Sequence, residues 1–391
     1  MPVVQCRHFN GYKPCEKSLR CEDSCAHKNI PSINIILIHL GALGSVVRST
    51  ALLAPIHRKY PGCRLFWLTD SPAHKLLQGH PLIDEIFSSS EADRLELSGW
   101  NFDIALVVDK SRKAAGILSQ LNCDQVFGFQ MDPHSGAILP ASNAAVELWE
   151  VGLSNEKKFF QNKKSEAQLV HESLELGPYS QDEYNLPLSS FEQNEALLRR
   201  HRWTADSRQP IIGLNTGASP VIQAKKWTVE FQRSLIREWR SQGIKNIVLL
   251  GGAEDSERNR LIGEGLSVVQ SPTESGLRDG LISVESCDIV VSGDSLGMHL
   301  AIARKKYVVA WFGPTCAHEI DLFNRGVKLL TQLECGPCWK RVCEKPVMCY
   351  DQVSFTQIKV ALDKGINQWQ AKQHQPHQIL SFKPPSSEIF Y

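Results

Sequence analysis

The chain has 391 residues, a formal net charge of +1 and a charged fraction of 22%. Its length suggests about two or three domains with sizeable cores. The even charge balance argues against a nucleic-acid partner, for which a basic excess is expected.

The opening, "MPVVQCRHFNGYKPCEKS", lacks the apolar stretch of a secretory signal. The apolar run at 35–38 is far too short to span a bilayer. The expectation is a cytoplasmic protein. Residues 1–32 are polar and Cys-rich and read as a small cap.

From 33 the pattern alternates. "INIILIH" reads as a strand, 46–59 as a helix and "CRLFWLT" as a second strand. "SPAHKLLQGH" is a short helix, "IDEIFS" a strand and "FDIALVVD" a very apolar strand. The helix "SRKAAGILSQL" follows, and "QVFGF" closes the series. Apolar strands alternating with helices imply a parallel sheet covered on both faces.

Residues 130–205 are more polar, with helical stretches at 143–151 and 188–201. This reads as the end of the first unit and a linker. At 210 the alternation restarts with "PIIGLN", the helix "TVEFQRSLIREWRSQ", "KNIVLLGG" and the helix "DSERNRLIGEG". "LSVVQ", a helix at 277–286, "CDIVVSG", a helix from Ser295 and "KYVVAWFG" complete a second doubly wound unit. A closing helix is predicted over 353–370, and the tail after it has no periodicity and reads as mobile. The boundaries are therefore 1–32, 33–205, 206–352 and 353–391.

Two such units imply a cleft between them, with ligands at the carboxyl ends of the strands. Four segments fall there. They are the glycine turn from Gly41 through Gly44 to Ser45, "VVDKSRKA" with Asp109, "NTGASPVIQAKKW" and "SGDSLGMHLA". In the last, Asp294 or Ser295 is placed to cap a helix whose first N–H groups make an anion site. Gly297 would let a ligand come close, and His299 lies in the first turns. A capping motif with a core histidine explains the same residues as well. Lys225 and Lys226, after the turn at Thr216 and Gly217, add cations suited to phosphate oxygens.

"ILIHLGALG", "IGLNTGA…AKKW", "VVSGDSLGMHLAIA" and "WFGPT" together resemble glycosyltransferase family 9, the heptosyltransferase family. The resemblance spans about residues 33–315. It implies a GT-B fold, two Rossmann-like domains facing a central cleft, with the acceptor on the first and a nucleotide sugar on the second. It implies sugar transfer with inversion and without a catalytic metal, and the chain contains no Asp-x-Asp. The implied donor site comprises Thr216, Gly217, Lys225, Asp294, Ser295, Gly297, Met298 and His299.

In the family, an aspartate usually follows the second glycine of the opening turn and is held to deprotonate the acceptor hydroxyl. Here that position is Ser45. A serine hydroxyl is no base near neutral pH without help. Asp109 could supply the carboxylate or be a helix cap. Ser45 could be a hydrogen-bond partner only, or transfer could be lost.

Eight of the twelve cysteines form two groups, Cys6, Cys15, Cys21 and Cys25, and Cys335, Cys338, Cys343 and Cys349. The C-x2-C pair at 335–338 is a common metal knuckle. Two sites, or one shared between the chain ends, would suit structural zinc or iron, including an iron–sulfur cluster. Cys63, Cys123, Cys287 and Cys316 read as isolated.

The resulting expectation is a transferase moving heptose from ADP-heptose, or a related nucleotide sugar, to a glycan or lipid-linked acceptor such as lipopolysaccharide core. It would be cytoplasmic, with peripheral contact at the inner membrane. The alternatives are a nucleotide-sugar-binding protein without transfer activity and a heptosyltransferase with a protein acceptor.

Overall fold

A computed structural model describes residues 5–373. The tail beyond 373, read from sequence as mobile, lies outside the described residues.

The first unit is a six-stranded sheet. Its strands are β1 (Asn34–Ile38), β2 (Arg64–Leu68), β3 (Glu85–Phe87), β4 (Asn101–Val107), β5 (Asn122–Met131) and β6 (Ile138–Pro140). They lie in the order β3-β2-β1-β4-β5-β6. All pair in parallel except β6, which runs antiparallel to β5. Helices cover both faces, so Ile35 to Ile38 of β1 are fully buried. The sequence reading ended this sheet at "QVFGF" and missed β6. That strand is three residues long and only half-buried, and Pro140 suits an edge.

The second unit repeats the plan with β7 (Ile212–Asn215), β8 (Ile247–Leu250), β9 (Val269–Gln270), β10 (Ile289–Gly293), β11 (Tyr307–Phe312) and β12 (Gly326–Leu330). The order is β12-β11-β10-β7-β8-β9, all parallel. β12 was also missed in the sequence, because only one of its residues is buried. The helix Phe355–Gln373 closes on this sheet through Ile358, Ala361 and Leu362.

Both sheets reverse their strand order at one place, between β1 and β4 and between β7 and β10. A crevice opens there at the carboxyl ends of the strands.

The segment read as a linker holds a π-turn at Lys157–Gln161 and a helix at Glu166–Ser173, started by a Ser165 cap on the Gln168 N–H. The helix Ser190–Trp203 begins with a capping box of Ser189 and Glu192. It packs on the helix Leu277–Glu285, and Arg199 is paired with Asp279. Arg278 joins the units, bonding Glu192 at 2.7 Å and the Leu76 carbonyl at 3.0 Å. The N-terminal cap is fastened to the first unit by Arg7, which pairs with Asp84 at 2.6 Å and bonds the Cys63 carbonyl.

Candidate active site

The four strand-end segments singled out in the sequence sit at the two points where strand order reverses. β1 runs into His39 and the glycine turn, and β4 runs into Asp109. β7 ends at Asn215, and β10 leads to Asp294 and Ser295.

In the first unit, Ser45 lies in the first turn of the helix Leu43–Ser49. Its hydroxyl accepts a 3.2 Å hydrogen bond from Arg48. Arg48 is nearly buried and ion-paired with Glu166 at 2.6 Å. The Asp109 carboxylate accepts the Leu40 N–H at 3.0 Å and the Ser111 N–H at 2.8 Å. Burial disfavours its charge, but the hydrogen bonds from Ser111 and Leu40 outweigh that and hold it below the usual carboxylate range. Asp109 does not cap the following helix, because Ser111 does so through Ala114. Beside Asp109, burial pushes His39 down to about 4.

In the second unit the capping expectation needs correction. Ser295 occupies the N-cap position, yet no side chain caps the helix Leu296–Ala303. Asn215 donates to the Ser295 hydroxyl at 3.0 Å, and Lys225 binds Asp294 at 2.8 Å. Gly297 has a second reason to be glycine: a side chain there would collide with the Asn215 amide. Asn215 therefore locks the two strand ends together.

Thr216 is buried with its hydroxyl bonded to Asn259 and to the Leu250 carbonyl. Met298 is fully buried, so its side chain supports the helix from beneath. His299 is also buried, 3.9 Å from Asp294 and beside the Tyr184 ring. Burial, then the charge of Arg48, push it down to about 3, so it is neutral. The two lysines part company: Lys225 turns to Asp294, while Lys226 lines a separate groove with Arg258 and Tyr350.

A cavity of about 310 Å³ opens at the ends of β7, β8 and β9. Gly217, Ser295 and Gly297 line it, as do Leu43 and Pro72 from the first unit. The sequence reading missed most of the wall, which comes from 251–255 and 271–277. The strand-end rule pointed at both segments, but neither carries a residue pattern tied to one chemistry. Asp255 Oδ1 and Ser271 Oγ lie in this wall, buried and without hydrogen-bond partners. Burial raises the Asp255 carboxyl. Two orphaned acceptors in a cavity of this size suit a ligand carrying N–H or O–H groups.

Across from Ser45 a polar chain runs through Arg48, Glu166, Glu319 and Lys158, with Lys158 3.5 Å from Glu319. Burial opposes charge on Glu166, but Arg48 and then Lys110 draw it down to about 2. Burial, then the Glu166 charge, push Glu319 up to about 7. The sequence reading missed Glu166 and Glu319, which lie outside the strand-end motifs.

No cysteine among the described residues is in a disulfide. Cys6, Cys15, Cys21 and Cys25 line one small cavity with His8 and His27. Four thiols around one hollow fit a thiolate-bound metal in kind and number. Cys338 and Cys343 lie near Cys349, whose thiol is pushed to about 11 by burial and then by those two. The N-terminal group rides on the first unit, whereas Cys338 N–H bonds the Pro314 carbonyl of the second. A single site shared between the chain ends is therefore not the arrangement observed. Among the described residues neither group brings three sulfurs within 4.8 Å of one another, so metal binding would have to draw them closer.

Among the described residues no helix is long and apolar enough to cross a membrane.

Residues 94–348 match the model of glycosyltransferase family 9 (heptosyltransferase). The chain is 24% identical over 307 residues to lipopolysaccharide heptosyltransferase 2 of Salmonella typhimurium, covering 72% of this chain and 83% of that one. Its fold matches E. coli ADP-heptose lps heptosyltransferase II with a TM-score of 0.62 at 19% identity, over 86% of this chain and 100% of the other. It also matches TibC of enterotoxigenic E. coli, an iron-containing dodecameric glycosyltransferase, with a TM-score of 0.50 at 13% identity, over 87% and 77% of the two chains. With two Rossmann-like sheets opening on one crevice and a family match over most of its length, the chain belongs to glycosyltransferase family 9 and is a glycosyltransferase of the GT-B fold.

Proposed function

We propose that this enzyme moves heptose from ADP-heptose to a cell-envelope glycan such as lipopolysaccharide core, with inversion and without a metal ion at the leaving diphosphate. One observation carries the reading. Leu43 and Pro72 of the first unit close a cavity whose remaining wall is the strand-end edge of the second. The unpartnered Asp255 and Ser271 oxygens suit the amino and hydroxyl groups of a nucleoside. Beside them the uncapped start of the helix Leu296–Ala303 offers positive charge to a diphosphate, and Lys225, paired with Asp294 outside that wall, would turn to it when the donor binds. The family match and the Salmonella typhimurium relative support heptose and lipopolysaccharide.

On the acceptor side, Asp109 is our proposed base. Two backbone N–H groups occupy it, but an ionised carboxylate offers about four lone-pair sites and can still accept an acceptor hydroxyl. Ser45, whose hydroxyl accepts from Arg48, is a hydrogen-bond partner of the acceptor in this proposal. The cysteine groups are proposed as structural sites for zinc or iron. The enzyme would work in the cytoplasm, touching the inner membrane where lipid-linked acceptors lie.

The test is transfer by the purified chain from ADP-heptose to heptose-deficient lipopolysaccharide core, read by mass spectrometry. ADP binding without transfer or donor hydrolysis would favour the second reading, a nucleotide-sugar-binding protein, which Ser45 in the usual aspartate position motivates. Product on co-purifying protein alone would redirect the acceptor to a polypeptide.

A further inference from the structure

Cys316 reads as isolated in the sequence, and the fold removes that isolation. β11 ends in the turn Gly313–Cys316, and a single 3₁₀ turn over Ala317–Glu319 follows. This tight backbone folds Cys316, His318 and Glu319 together, with one donor atom of each within 4.8 Å of the others. Cys316 and Glu319 are buried, at 2% and 9% exposure.

Two details separate this trio from an ordinary polar contact. His318 Nε2 is buried with no hydrogen-bond partner. An imidazole nitrogen left over beside a thiol and a carboxylate is free to ligate a metal ion. The Cys316 sulfur accepts a 3.4 Å hydrogen bond from the Trp339 indole, which orients it, while burial pushes its thiol up to about 11, so an ion would have to displace the proton. Sulfur, imidazole and carboxylate thus converge without His318 bonding to either neighbour, and the gap between them suits an ion.

We propose that Cys316, His318 and Glu319 bind a divalent transition-metal ion of the zinc class. One sulfur, one nitrogen and one oxygen ligand suit a borderline ion, and three protein ligands leave a fourth position for water or substrate. None of the three belongs to either four-cysteine group. Glu319 also faces Glu166, which pairs with Arg48, the partner of Ser45. The ion would therefore lie between that polar chain and the Lys225–Asp294 pair, since Lys225 Nζ is 5.6 Å from the Trp339 ring whose indole bonds Cys316. The proposal does not rest on the identity of the donor or acceptor.

The test is metal content and cobalt spectroscopy of the full chain, prepared anaerobically and loaded with Zn²⁺ or Co²⁺. Wild type should hold one equivalent more zinc than C316S or H318N. Its cobalt form should show a thiolate charge-transfer band that both variants lack. E319Q, which keeps the side chain's shape, should bind that equivalent more weakly and guards against misfolding in the other two. Zinc content and cobalt spectra equal across wild type and every variant that folds would overturn the site. Loss of transfer activity alone would not count for it.

Discussion

Gly44 and the His299 ring occupy one another's space across the two units. A methyl group on Gly44 would lie 2.5 Å from His299 Cδ2 and 3.0 Å from Nε2. The second glycine of the opening turn thus admits a buried side chain of the other unit, while Gly41 faces open space. Gly44→Ala should cost about 1–3 kcal/mol through overpacking, because His299 has no room to retreat. Urea unfolding of Gly44→Ala and of Gly44→Ala/His299→Ala measures this. The double variant should recover part of the loss, and additive losses would reject the contact as the cause.

Lys225 and Asp294 form a largely buried pair, with side-chain exposures of 16% and 14%. Lys225→Ala should weaken ADP binding by about 1.5–3 kcal/mol, read by calorimetry, if the ammonium meets the diphosphate. It also strands a buried carboxylate, so stability should fall as well. Adding Asp294→Asn should restore stability but not ADP affinity. Recovery of both would mean that Lys225 serves the fold alone.

Asp109→Asn should leave ADP binding intact and cut turnover by roughly 10²–10⁴-fold if the carboxylate is the base. Ser45→Asp places a second carboxylate beside Arg48, where it competes with Glu166. Turnover in Ser45→Asp should hold or rise, since it restores the family's usual residue. Wild-type turnover in Asp109→Asn would remove Asp109 from the mechanism.

The Glu192–Arg278 link predicts a pH effect. The hydrogen bond from Arg278 draws Glu192 from an ordinary 4.5 down to about 2. A depressed folded pKa adds stability that is complete above the unfolded value and fades as pH falls through the folded one. Wild type should therefore lose of order 1–3 kcal/mol from this link between about pH 5 and pH 2. Glu192→Gln should lack that part of the slope. Parallel slopes in denaturant midpoints of the two proteins would contradict it.

Purified protein should carry zinc or iron in the N-terminal cysteine group, read by elemental analysis. None of those residues lines the cavity between the units. Cys21→Ser should therefore lower the melting temperature while ADP affinity stays unchanged. A melting temperature insensitive to both chelator and Cys21→Ser would argue for plain thiols.

The alternation of apolar strands and helices was enough to read two doubly wound sheets and the crevice between them. Buried parallel strands are apolar throughout, and that signal is local. It also located the four strand-end segments, because in such sheets ligands gather where strand order reverses. Short edge strands such as β6 and β12 escaped, since few of their residues are buried. The tertiary structure alone decided what each glycine is for. Gly44 admits His299 and Gly297 admits Asn215, partners far away in sequence. It alone turned Lys225 to Asp294 and left Ser295 without a capping role. Glu166 and Glu319 were invisible for the same reason. A carboxylate takes its chemistry from the charges and burial around it, and those come from segments that only folding brings together.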